Sequence, residues 1–284
     1  MERLTEILHT MGDLDTTAAL LTEPFVVHAL VAIALLGLVA GVIGPFIVMR
    51  NMSFSVHGTS ELALTGASAA LLFGYSIGAG AIVGAVVAAV LFGVMGVRAS
   101  ERDSSIGVVM AFGLGLSVLF IHLYPGRSGS SFSLLTGQIV GVSGQGVTLM
   151  AVVTGVVVLA VAALYRQLVF SSADPEVAAA RGVPVRALNL VFAVLVGVTA
   201  AQAVQIVGAL LVMSLLITPA AAAAYVARSP LTAIAVSVVV AELAAVGGLV
   251  LSLAPGVPVS VFVTTLSFVA YLVCRALGSR AWRG

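Results

Sequence analysis

Between residues 25 and 277 this sequence is a near-continuous series of long apolar runs, and that property dictates the medium in which it folds. A run of about 20 apolar residues is long enough to cross the hydrocarbon of a bilayer as an α-helix. Windows of that kind place spans near 25–49, 57–74, 79–97, 104–124, 147–165, 187–203, 206–226, 231–253 and 259–277. The segment 57–74 is short, and 187–226 fits either two short crossings or one long broken one, so the total is eight or nine. Charged residues make up 8% of the chain, against roughly a quarter in a soluble domain. A transmembrane barrel needs short alternating segments, not continuous apolar runs. The fold class is therefore an all-α polytopic integral membrane protein.

The polar remainder excludes several activities. All 12 basic residues are Arg and none is Lys. That removes the lysine of a phosphate-cradling P-loop and the strand lysine of a kinase, so the chain has no recognisable machinery for hydrolysing ATP. A net charge of +1 gives no basis for nucleic-acid binding, and Cys274 as the single cysteine excludes an internal disulfide framework. The stretch "GAGAIVG" follows no strand and is not a dinucleotide loop. Residues 1–24 are acidic, lack a basic and apolar leader pattern, and read as an extracytoplasmic lead-in. Residues 25–277 form the membrane domain, and 278–284 a cytosolic tail.

Arginine placement orients the spans. With nine crossings and a cytosolic C-terminus, only Arg3 and Arg127 fall outside, the asymmetry that the positive-inside rule predicts. Two connectors are long. The outer one, 124–146, is Gly/Ser-rich and reads as a flexible connector with a short interfacial or re-entrant piece, or as part of an outer vestibule or a docking surface. The inner one, 165–189, contains "DPEVAAARG". Here Asp174 suits an N-cap, Pro175 the first helical position and Glu176 the positive helix end. Gly182 then fits the position just past the helix C-terminus. Such a short, capped helix either docks a soluble partner or is an ordinary surface helix.

Ionisable groups within spans cost about 2.5–3.5 kcal/mol on insertion scales and are functional candidates by default. The candidates are His28, His57, Glu61, His122 and Glu242, with Gln202 and Gln205 as neutral polar companions. His57 and Glu61 stand one helical turn apart, on one face, about 6 Å from each other. That spacing lets two side chains share one metal ion, although it equally describes a solvated His and a dipole-favoured Glu at a helix start. Imidazole suits Zn, Fe and Ni, and a carboxylate extends the range toward Mn. Ser60 lies beside the pair and can support a ligand. Glu242 sits mid-span, either as a third ligand or as a hydrogen-bonding partner for a neighbouring helix. Gly37/Gly41 and Gly80/Gly84 have the small-xxx-small spacing of closely packed helices. Thr218-Pro219 marks a kink or a helix end.

Four stretches in order, "RNMSFSVHGTSELALTG", "DPEVAAARGVPVRALNLVF", "QIVGALLVMSLLITPAAAAAY" and the final pair of spans, resemble the membrane permease subunit of the ABC-type zinc/manganese/iron importers, the metal-specific ABC-3 permeases. The resemblance runs from about residue 25 to residue 277. It implies a homodimer of permeases, a separate cytosolic ATP-binding subunit docking on Asp174, Pro175, Glu176, Arg181 and Gly182, and an extracytoplasmic metal-binding protein. In that family the segment after the first span carries an Asp and a His four residues apart that contribute to the metal site. The matching positions here are His57 and Glu61, donors kept in exchanged order, with Ser60 at the family's serine and Gly66 at its glycine.

The expected protein is thus a non-enzymatic transport subunit of the plasma or inner membrane, with no permanently bound cofactor. It would import Zn²⁺ ahead of Mn²⁺ or Fe²⁺ through a transient site of His57, Glu61 and Glu242, supported by Ser60 and Gln205. A proton-coupled secondary transporter using Glu242 is the alternative. His57 is expected nearer the inner face than the middle of the bilayer. Either the segment before it dips into the membrane or the site is an inner station.

Overall fold

The structure is a computed structural model and describes residues 14–94, 99–125, 141–208 and 212–278. The expectations for residues 1–13 of the lead-in, for most of the outer connector and for the tail beyond Gly278 lie outside the described residues.

Every described element is helical: α1 (Leu14–Leu21), α2 (Pro24–Met49), α3 (Ser53–Leu72), α4 (Ile77–Val94), α5 (Ala99–Leu123), α6 (Gly144–Ala173), α7 (Pro175–Ala180), α8 (Val185–Val207), α9 (Val212–Leu216), α10 (Thr218–Val226), α11 (Pro230–Leu253) and α12 (Val259–Leu277). Six of them, α2, α5, α6, α8, α11 and α12, are long and apolar enough to cross a membrane. Two shorter apolar stretches, Ile77–Gly93 in α4 and Val212–Val226 in α9–α10, accompany them. α3 has the length but carries His57, Ser60, Glu61 and Thr65 in its first turns.

Hydropathy alone does not say which apolar helix is central. Of the apolar window of α8, 67% is buried, and of α2, 56%, against 11% for α12 and 17% for α5. α2 and α8 are therefore the axis of the bundle, while α5, α6 and α12 turn most of their apolar surface outward. α2 packs along α11 and against α6, and α8 packs along α4 and α3. Phe46 and Phe192 meet edge to face between α2 and α8, ring centroids 6.2 Å apart.

Small residues allow the closest crossings. A Cβ on Gly41 would collide with Val238 of α11, and one on Gly44 would reach the Leu216 carbonyl of α9 at 2.7 Å. Gly80 and Gly84 of α4 lie directly on Gly66 and Leu62 of α3. Of the glycine pairs singled out in the sequence, Gly80/Gly84 and Gly41 thus mark backbone contacts, whereas Gly37 meets the side chains of Glu242 and Ala245.

The segment 187–226 is not one helix. α8 ends at Gly208, whose φ of +82° only glycine adopts readily, and Ile217 separates α9 from α10 ahead of Pro219. The connector expected at 165–189 is also shorter than that. "YRQLVFSSA" contains no Gly or Pro, so α6 continues through Tyr165 to Ala173 with Leu168 fully buried.

Candidate functional site

α2 and α3 are joined by the tight turn Arg50–Met52, in which Asn51 takes φ +54° and the Met52 N–H donates to the Ile47 carbonyl. Beyond it α3 leans onto α4, α5 and α8. His57 and Glu61 fall in the first turns of α3, Glu61 about 12 Å along the helix from Ser53. Glu61 is 7% exposed and interacts electrostatically with His57.

The pair is incompletely bonded. His57 Nδ1 and Glu61 Oε2 are buried and lack a hydrogen-bond partner. A buried polar atom without a partner is costly, so two such atoms on residues one helical turn apart are suited to a ligand able to engage both. An imidazole nitrogen and a carboxylate oxygen form a mixed N/O donor set for a divalent transition metal. The surrounding hydroxyls are committed to the helices. Ser60 Oγ donates to the His57 carbonyl at 2.7 Å, and Thr65 Oγ1 lies 2.8 Å from the Gly113 carbonyl and 2.9 Å from Ser117 Oγ of α5. The Thr65 contacts tie α3 to α5 and hold the rotation of α3 that buries Glu61.

The structure does not bring Glu242 to the pair. Its carboxyl lies over Gly37, where an added Cβ would come within 3.2 Å of its Cδ, between α2 and α11. Among the described residues no three His, Cys, Asp or Glu side chains converge on one point. The cause is topological: α11 follows α2, whereas α3 diverges from α2 after the turn. Gln205 likewise sits elsewhere, with Oε1 against Gly78. With Gln202 it lines a cavity of about 230 Å³ that reaches Ala67, roughly 9 Å further along α3 than Glu61. His28 approaches Gly144 at the start of α6, and His122 is exposed at the end of α5.

The short helix between α6 and α8 forms as its sequence predicts. Asp174 Oδ1 accepts from the N–H groups of Glu176 and Val177, at 3.0 and 2.9 Å, and Pro175 opens α7. At the other end Gly182 adopts φ +84°. Its N–H donates to the Ala179 carbonyl and that of Val183 to the Ala178 carbonyl, the paired bonds of a Schellman cap. Ala178 is buried, while Asp174, Pro175, Glu176, Arg181 and Gly182 are exposed.

Nearly the whole helical domain is matched by one family profile. The profile described as the ABC 3 transport family covers residues 22–278. The chain belongs to the ABC 3 transport family. It is a multi-pass protein of the cell membrane and a membrane component of an ABC transport system. Two relatives of this ABC 3 chain are close in length. The manganese transport system membrane protein MntC of Halalkalibacterium halodurans is 28% identical over 272 residues, 93% of each chain. The manganese import system permease protein ScaB of Streptococcus parasanguinis is 30% identical over 250 residues, 88% of this chain and 89% of the relative. The solved structure of PsaBC from Streptococcus pneumoniae in complex with Fab superposes with a TM-score of 0.85 at 27% identity, covering 94% of this chain and 96% of that one.

Proposed function

We propose that this chain is the membrane permease of an ATP-driven importer of divalent transition metal ions, with Mn²⁺ as the main cargo. The observation that carries this reading is the His57–Glu61 pair, whose buried Nδ1 and Oε2 atoms are left without partners on a helix inside a membrane bundle. The names of the relatives favour Mn²⁺, which reverses the order of preference drawn from the sequence, Zn²⁺ first. The carboxylate of Glu61 accords with that reversal, because Mn²⁺ is served better by oxygen donors than by nitrogen and sulfur alone.

Two donors leave most of an ion's coordination shell to water or to a second subunit. An incomplete shell suits transit, since the ion must leave as readily as it enters. The permease acts as a homodimer, receives the ion from an extracytoplasmic metal-binding protein, and is driven by a cytosolic ATP-binding subunit docked on α7. Nine crossings with the N-terminus outside and the C-terminus inside accord with how helix ends meet. Arg50 ties the end of α2 to the end of α6 and the start of α8, and Gly278 after α12 abuts Tyr225 at the end of α10.

The deciding experiment is uptake into proteoliposomes holding the permease and its ATP-binding subunit, with Mn²⁺, Zn²⁺ and Fe²⁺ supplied in turn. ATP-dependent Mn²⁺ accumulation that is indifferent to a collapsed proton gradient is expected. Accumulation that needs the gradient and ignores ATP would establish the secondary-transport alternative instead.

A further inference from the structure

At the end of the bundle that carries α7, one side chain joins three helices. Arg50 caps α2, its backbone N–H donating to the Phe46 carbonyl. Its guanidinium spans the gap to α6 and α8. Nε donates to Ser172 Oγ at 2.8 Å, and Nη2 donates to Ser171 Oγ at 2.7 Å and to the Leu168 carbonyl at 3.4 Å. Nη1 donates to Asn189 Oδ1 at 2.6 Å, and the cation lies over the Phe192 ring, 4.9 Å from its centroid. Burial pushes the guanidinium down to about 10, so it stays charged at neutral pH.

These acceptors are neutral and belong to two separate elements, the last turns of α6 and the first turns of α8. Those are the helix ends that α7 connects. A guanidinium is a rigid planar fork, so it can satisfy oxygens on both helices only while their separation is held. A change in the position of α7 that moves either end must therefore move Arg50 or break its bonds.

On its other side Arg50 is two residues, Asn51 and Met52, from the start of α3. That turn is closed by the Met52 bond to the Ile47 carbonyl, and α3 is then continuous past Glu61. A cavity of about 280 Å³ borders the turn, Ser171, Ser172, Pro175 and Asn189, and leaves room for movement.

We propose that Arg50 is a positioning residue for transport: it ties the turn that starts α3 to the two helix ends flanking α7, so that displacement of α7 reaches His57 and Glu61 as a shift of α3. The inference rests on the reading of α7 as the docking helix for the ATP-binding subunit. It adds the route by which docking is communicated.

The test uses the assembled complex of permease and ATP-binding subunit, with Arg50→Met, Asn189→Ala and the double change Ser171→Ala/Ser172→Ala. Two quantities are followed: metal ions moved per ATP hydrolysed, and nucleotide-dependent hydrogen–deuterium exchange of segments 53–61 and 174–183. In the wild type, nucleotide should alter both segments. In Arg50→Met the response of 174–183 should persist, that of 53–61 should vanish, and transport per ATP should drop by about tenfold or more, since losing even one of the charge-assisted hydrogen bonds is on that scale. Asn189→Ala, which cuts the bond to α8, and the double serine change, which cuts two bonds to α6, both keep the cation and should do the same more weakly. They decide the matter if Arg50→Met does not assemble. Variants in which 53–61 still responds as in the wild type overturn the route while leaving the cargo and docking readings intact. A wild-type complex in which 174–183 ignores nucleotide overturns the docking reading and the route together. Failure of Mn²⁺ uptake alone, with both segments responding, refutes only the cargo.

Discussion

Gly66 of α3 and Gly80 of α4 are stacked backbone to backbone: a Cβ placed on either one would run into the carbonyl oxygen of the other. Gly84 extends the contact to the Leu62 carbonyl. The face of α3 opposite α4 must stay free of side-chain bulk for α3 to hold its depth and rotation. Gly66→Ala or Gly80→Ala should cost about 1–3 kcal/mol, the range for overpacking where neither side can give way. A lowered thermal midpoint in detergent would report it. Gly115 of α5 meets nothing within 4 Å, so Gly115→Ala is the matched control and should leave the midpoint unchanged.

Glu61→Gln keeps the shape of the side chain and removes its charge. Ion transit through the pair predicts loss of Mn²⁺ uptake by about a hundredfold, on the scale of 2–3 kcal/mol for a charged partner removed from a buried site. Assembly with the ATP-binding subunit should be unaffected, because α7 is distant in sequence and capped by its own residues. Wild-type uptake by Glu61→Gln would remove the pair from the pathway. His57→Ala should behave similarly.

Glu242 offers the opposite test. Its carboxyl lies on Gly37 between α2 and α11, apart from His57 and Glu61. Glu242→Gln should leave the metal concentration at half-maximal uptake within about twofold, since an amide is close in volume and a volume-conserving change is tolerated best. A rise of tenfold or more would return Glu242 to the ion's path.

At α7, Asp174→Ala removes two hydrogen bonds to backbone N–H groups and should weaken the helix by about 1 kcal/mol. Gly182→Ala forces an L-residue into the left-handed region, at roughly 1–2 kcal/mol. Both should lower affinity for the ATP-binding subunit, measured by co-purification or light scattering. Neither should change the preference among Mn²⁺, Zn²⁺ and Fe²⁺. A shift in metal preference would mean that α7 is not a docking element.

By itself the sequence determined the class, the approximate placement of the long apolar helices, and the capped helix at 175–180, whereas of the eight or nine spans it suggested, six of the described helices are long and apolar enough to cross. What it determined rests on local rules: a span needs a length of apolar residues, an N-cap needs an oxygen, and a left-handed residue favours Gly. It also picked out His57 and Glu61, because an i,i+4 spacing fixes side-chain proximity once the segment is helical. Tertiary structure alone decided which polar residues meet. Glu242 was expected to join the pair and lies on Gly37 instead, because α3 turns away from α2 while α11 stays with it. Arg50 entered the sequence reading only as an orientation charge. Its partners, Ser171, Ser172 and Asn189, come from segments 121 to 139 residues away, and no periodicity in one helix announces an acceptor on another. Spacing along a helix is written in the chain, whereas the distance between helices is set by packing.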